Sequence, residues 1–352
     1  MNDDKTLTVG VFVPTATALW SDHRDPREAI AFGVQAEKAG LDSLWVTDSL
    51  LTPRLEALTA LAALAPVTDT VTLGTAALLP ALRSPVPAAQ TLASVDLLSG
   101  GRLTLGVGAG FLASSASRCM RWARRFKRLD EIVALWRELW TREEPFAFHG
   151  EVLDFTDLVP QTPTSRPSGI PIWLGGATPA ALARTGRLYD GWLPYPPDPA
   201  DYAAGLTAIH ASAEAAHRSP DAIDPALFVN VLVTSASDGG RSELDTYFRG
   251  TYGWPIEQME QLQAHAAGTL DAVTEKLTQY VAAGARKVVI RIAALTIDSQ
   301  LAQLEHLTKL RSRLNSVVVG NHWPVSRRNA LTFDQLSSDA GALSADRRRT
   351  LG

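Results

Sequence analysis

Cysteine is nearly absent: Cys119 stands alone among 352 residues. A single thiol excludes an internal disulfide and a cysteine-built metal site, and it fits a reducing compartment. Long apolar runs are missing too, none reaching the roughly 18 to 20 residues that span a bilayer. The opening stretch MNDDKTLTVGVFVP is acidic and lacks the basic region and long apolar segment of a signal peptide. The expected location is therefore cytoplasmic, with no membrane partner. Basic charge is not in excess either, since 33 Lys and Arg face 37 Asp and Glu for a formal charge of −4. That leaves no field for nucleic acid, and the arginines at Arg118, Arg121, Arg124, Arg125 and Arg128 are too local to supply one. The histidines, among them His23, His149, His210 and His217, are scattered without metal-ligand spacing, so no metal is expected. Asp48 is the only obvious acid at a strand end, which argues against a glycosidase pair of carboxylates.

What the chain does have is alternation. Apolar, β-branched runs at Leu7–Val13, Ser43–Thr47, Thr70–Ala77, Arg102–Val107, Ile170–Leu174, Gly191–Leu193, Ala226–Thr234 and Arg286–Ile292 are separated by segments with helical spacing. Proline opens several of these helices, as at Pro53 and Pro179, and Gly40 closes the first. Strand and helix alternating without a break predict a parallel sheet closed as a (β/α)8 TIM barrel. The helix Arg125–Trp140 carries a core stripe of Ile132, Leu135, Trp136 and Leu139, with Asp130, Glu131 and Arg137 on its polar side. Residues 141–168 are rich in proline, aromatics and acids and too long for an ordinary connection. They read as an insertion after the fourth βα unit, with a hairpin at Phe146–Phe155. Two more helical patterns fall around Ser242–Phe248 and Ile256–Ala266. The barrel is expected over residues 1–316, and 317–352 as a tail, packed in part through Trp323 or disordered.

Barrel enzymes place their chemistry at the C-terminal ends of the strands. Here those ends carry Pro14 and Thr15, then Thr47, Asp48 and Ser49, then Thr75, Ala76 and Ala77, then Gly108, Ala109 and Gly110, then Gly175, Gly176, Ala177 and Thr178, and finally Pro194 and Tyr195. Small residues predominate, so the mouth leaves room for a flat ligand against main-chain atoms; taken singly, each run also serves as a tight corner. The run Gly175–Thr178 lies between a strand and a helix start. Its amides and the Thr178 hydroxyl suit a phosphate at a helix N-terminus, or Thr178 simply caps that helix.

Several stretches in order, namely LDSLWVTD at Leu41–Asp48, LGTAALLP at Leu73–Pro80, LLSGGRLTLGVGAGF at Leu97–Phe111, the spacing Arg125–Glu131, PIWLGG at Pro171–Gly176 and YDGWLP at Tyr189–Pro194, resemble the bacterial luciferase-like oxidoreductases. The resemblance implies a barrel that binds reduced FMN, or the deazaflavin coenzyme F-420, at the strand ends. It places a non-proline cis peptide at Ala76–Ala77 under the ring system, with Asp48 and Thr75 in the same lining, Gly108 to Gly110 beside the ring and Gly175 to Thr178 at the phosphate end. It further implies a monooxygenase acting with reduced FMN and oxygen on a small organic substrate, a flavin reductase as supplier, and a homodimer. The alternatives are hydride transfer with coenzyme F-420 and a flavin-binding barrel without turnover. Where such proteins commonly carry a histidine this chain has Ser49, and Ser84 and Ala113–Met120 also depart from the pattern. His23 and Tyr195 are then the candidates for the catalytic proton role, and Tyr252 offers a further hydroxyl.

Overall fold

The computed structural model describes residues 7–16, 19, 25–49, 53–110, 124–160 and 162–320. Parallel strands buried on both faces need apolar side chains at nearly every position, which is why the runs above fold as strands. They are β1 (Thr8–Phe12), β2 (Ser43–Val46), β3 (Thr72–Leu78) and β4 (Leu103–Val107), then, beyond a hairpin of β5 (Phe146–His149) and β6 (Asp154–Leu158), β7 (Ile172–Leu174), β8 (Gly191–Trp192), β9 (Asp224–Val233) and β11 (Lys287–Ile292). Going round, β1, β2, β3, β4, β7, β8, β9 and β11 each bond in parallel to the next, and β11 returns to β1. The ring is the predicted (β/α)8 barrel, closed by the predicted strands.

Outward-facing Val9, Val11, Leu44, Leu73, Leu105 and Ile290 pack beneath the surrounding helices. Inward, Phe12, Trp45, Trp173, Leu193, Ala226 and Val289 fill the barrel as a separate cluster. The two indoles lie 5.3 Å apart between centroids. Each buried aromatic of this size contributes about 4–6 kcal/mol by area. Glycine makes their space: a Cβ at Gly74 would fall 2.4 Å from Trp45, and one at Gly191 2.3 Å from Trp173.

Polar groups lock the floor. Arg102, just before β4, donates to the carbonyls of Ala65, Thr68, Val71 and Ser99 at 2.7–2.9 Å. Asp42 accepts from the amide of Val9 at 2.8 Å and takes both arms of Arg311 at 2.7 Å, tying the last helix, α10 (Ile297–Gly320), to the β1–β2 join.

The structure departs from the sequence reading in three places. The helical pattern at Ile256–Ala266 is only one turn, Ile256–Met259, and the chain then extends into β10 (His265–Gly268). This strand pairs with Asn230–Val233 of β9, while the neighbouring Ala264 donates to the carbonyl of Tyr195 and accepts from the amide of Asn230. The join between β8 and β9 is therefore direct at its base and wedged open by a further strand at the mouth. Second, Glu131 is not on a solvated face. It is 7% exposed, and its carboxylate accepts from the amides of Glu151, Val152 and Leu153 at 2.8–2.9 Å, capping the hairpin turn; the hairpin's second strand runs on to Leu158. Third, α10 continues past Ser316 to Gly320. Residues 321–352, which hold the rest of the predicted tail, lie outside the described residues. Among the described residues no helix is long and apolar enough to cross a membrane.

Candidate functional site

One side of the barrel mouth is set by a break in the β3–β4 ladder. Pairing runs in step from Leu73↔Leu103 to Thr75↔Leu105 and resumes only at Leu78↔Val107. The Thr75 hydroxyl donates to the Gly106 carbonyl at 2.9 Å, and the amide of Gly108 donates to the Leu78 carbonyl at 2.9 Å, so the bulge is bonded on both sides. Gly106 cannot be larger, since its Cβ would stand 2.3 Å from the Thr75 carbonyl oxygen. The bulge raises Ala76 and Ala77 into half-exposed positions, and the peptide between them is cis. Across from it a Cβ on Gly108 would meet the Ala77 Cβ at 3.6 Å.

The next strand brings the second group. The amide of Gly175 donates to the Val107 carbonyl at 3.0 Å, and the Gly176 carbonyl accepts from the Trp192 indole at 2.8 Å. Gly110 and Gly176 have φ of +81° and +106°, conformations that favour glycine. Thr178 Oγ1 accepts from the amide of Ala181 at 3.3 Å and so caps α5 (Pro179–Leu188). Ala177 and Thr178 are exposed at that helix start. Ala76, Ala77, Gly108, Gly110 and Gly175 to Thr178 thus form one shelf of small residues, with Ala109 buried behind it at 8% exposure.

Two expected members of the shelf do other work. Thr75 is fully buried with its hydroxyl engaged on Gly106, so it braces the bulge without facing the mouth. Asp48 pairs with Arg83 and accepts from the amide of Leu79 at 2.9 Å; Arg83 also reaches Glu56 at 2.7 Å. Asp48 therefore holds the loop after β3 in place. His23 lies outside the described residues. Tyr195, just beyond β8, is 42% exposed, its ring set edge-on to Phe228 at 5.9 Å.

The other side of the mouth is different in kind. A cavity of about 410 Å³ opens at the ends of β1, β2 and β11 beside α7 (Arg241–Tyr252), with Phe12, Pro14, Thr47, Arg54, Tyr247 and Arg291 on its walls. Arg291 is an inward-facing residue two positions beyond Val289. Its guanidinium lies 4.4 Å from the Phe12 ring and 5.4 Å from that of Phe228, and it donates to the Tyr252 hydroxyl at 3.2 Å and to Thr47 Oγ1. Burial, and then the charge of Arg291, pull the pKa of Arg54 down to about 10. Burial pushes the Tyr247 phenol well above its ordinary value. Neither arginine is among the candidates that the sequence offers. The signal for Arg291 was there: a charge near the C-terminal end of a barrel strand, where burial is the rule.

Phe12 joins the two sides, since it walls the cavity and belongs to the interior cluster on which Ala76 packs. A planar group on the shelf and a smaller molecule in the cavity would meet over that ring. Among the described residues no group of three His, Cys, Asp or Glu is placed to hold a metal.

The sequence profile of the luciferase-like monooxygenases matches residues 7–297. An F420-dependent glucose-6-phosphate dehydrogenase of Amycolatopsis mediterranei is 37% identical over 180 residues, which are 48% of this chain and 53% of that relative. The chain thus spans about half the length of that curated relative. Among solved structures, an F420-dependent secondary alcohol dehydrogenase in complex with an F420–acetone adduct superposes with a TM-score of 0.72 at 18% identity, covering 88% of this chain and 99% of its own. The oxygenating constituent of 3,6-diketocamphane monooxygenase of Pseudomonas putida, in complex with FMN, gives 0.68 at 16% identity, with 86% and 97% covered. At such identities the two superpositions speak for the fold alone.

Proposed function

The chain belongs to the luciferase-like monooxygenase family, and from that premise we propose that it is an oxidoreductase using coenzyme F420 to move a hydride to or from a small organic substrate. The observation that carries this reading is the 37% identity to a relative named as F420-dependent. The expectation of an FMN monooxygenase gives way to it, because the FMN likeness rests on a fold neighbour at 16% identity. A flavin reductase has no part in this reading.

The shelf suits such a cofactor. A flat ring system needs main chain without side chains standing over it, and Ala76, Ala77 and Gly108 leave that area open, a Cβ at Gly108 meeting nothing closer than 3.6 Å. The amides at the start of α5, beyond Gly176, would hold the phosphate end. When bound, the deazaflavin supplies a hydride acceptor or donor, the hard part of the chemistry. The protein's own part is to orient and to exclude water. Phe12 and Phe228, 5.1 Å apart, wall the place where the substrate's reacting carbon would meet the ring. The Tyr195 hydroxyl at the rim is the candidate to hold or release the proton that accompanies the hydride.

Two assays of the purified full chain test the reading. Adding F420 should give saturable binding, and a panel of alcohols should bleach its absorbance. Oxygen uptake with reduced FMN and no F420 turnover would restore the monooxygenase, and binding without turnover of any substrate would favour a non-catalytic barrel.

A further inference from the structure

Arg291 raises a question that hydride transfer alone does not answer. It is partly buried on an interior position of β11, over two aromatic rings, and its hydrogen-bond partners are the hydroxyls of Tyr252, Thr47 and Tyr247. Among the described residues no carboxylate pairs with it. Taking a cation out of water without a counter-charge is costly, and proteins ordinarily pair or neutralise it. This chain does so elsewhere on the mouth, where Arg83 is matched by both Asp48 and Glu56. Arg54 stands on the same cavity wall, and the charge of Arg291 contributes to the lowering of its pKa to about 10. The charge of Asp48 acts on Arg54 in the opposite sense, whereas among the described residues no carboxylate does so for Arg291. A guanidinium has five N–H donors, and the three hydroxyls leave Arg291 two for a grip on a carboxylate or phosphate. Much of the remaining wall is apolar, with Val13, Leu19, Ile292 and Leu295, beside the polar Thr15, Thr251 and Gln300.

We infer that this cavity binds the substrate through an anionic group, a carboxylate or a phosphate monoester on an apolar body, gripped by Arg291 with Arg54 beside it. Calling the anion a substrate rests on the hydride-transfer reading; the anion site itself does not need the cofactor.

Calorimetric titration of the full chain, free of F420, with benzoate, phenyl phosphate and the neutral benzamide tests the inference. At least one of the two anions should bind roughly tenfold or more tightly than benzamide, and the difference should shrink at high salt. Preference for benzoate identifies a carboxylic acid as the substrate class, and preference for phenyl phosphate identifies a phosphate monoester. Arg291→Gln should weaken the preferred anion about tenfold or more, Arg54→Gln should weaken it less, and Arg291→Lys should restore part of the loss as a point charge. Should Arg291→Gln not fold, Arg291→Lys and the salt series carry the same test. Equal binding of anion and neutral analogue, or full anion affinity without the Arg291 charge, would overturn the site. If the anion binds as described and F420 does not, the anion site stands and the proposed function fails; F420 turnover without anion preference gives the reverse.

Discussion

Across β3, β4 and β7 the mouth is alanine and glycine whose neighbouring polar groups are already engaged, Thr75 with the Gly106 carbonyl and Asp48 with the Leu79 amide and the Arg83 side chain. Across β1, β2 and β11 it is arginine, tyrosine and phenylalanine around a cavity. The first side offers shape with little charge, and the second offers charge in an apolar frame. A reaction in which a bound cofactor gives or takes the electrons calls for that division, one wall to support a ring and another to select what meets it.

The division can be broken most severely from the shelf. Gly108→Leu places a branched side chain where the ring should lie, so F420 affinity should fall about 100-fold, roughly 2.7 kcal/mol. Benzoate or phenyl phosphate binding should stay within about twofold; an equal loss of both in titration would mean that the two sides are one site. A smaller effect is expected at the brace between the sides. Arg83→Met leaves Asp48, whose side chain is 8% exposed, without its cation, and should cost about 1–2 kcal/mol in urea unfolding. F420 binding should weaken a few-fold with it, because the loop after β3 is held through Asp48. No change in stability would show that the pair is a solvated surface contact.

The smallest effect concerns acid. His265 on β10 has its pKa lowered by burial, so the folded protein prefers the neutral ring. As the pH falls below about 6.5 the unfolded chain takes up the proton first. The stability that His265 contributes is thus present above that pH and is lost as the pH drops through the folded value. Its ring lies edge-on to Phe248 of α7, the helix that walls the arginine side. Between pH 7 and pH 5 the loss should be under about 1 kcal/mol, and His265→Gln should flatten that part of the profile. An unchanged profile in the variant would place the titration elsewhere.

How far the sequence could be read follows from the range over which each interaction acts. Barrel strands are apolar on both faces, so RKVVIRI and ALFVNVLV announce themselves, and the glycine corners after them are just as local. HAAG at β10 has no such signal: it is a strand because Asn230–Val233 offers it an open ladder. The engagement of Asp48 depends on Arg83, 35 residues away, and the placing of Arg291 beside Thr47 on a separation of 244. No periodicity spans such distances. The position of the cis bond came from the resemblance, since AA has no preference of its own for that geometry. A helical wheel puts Glu131 on the polar face because it cannot foresee a hairpin turn that needs an acceptor.

The wedge that β10 drives between β8 and β9 changes the outline of the barrel. Its floor is a ring of eight strands, while its rim counts one more. The circumference at the top therefore gains about one strand spacing, roughly 4.8 Å, over the base. A rim widened in this way can admit a flat guest, while the two indoles fill the interior. Lengthening or shortening β10 would then be a way to tune the breadth of what is admitted without disturbing the plug beneath.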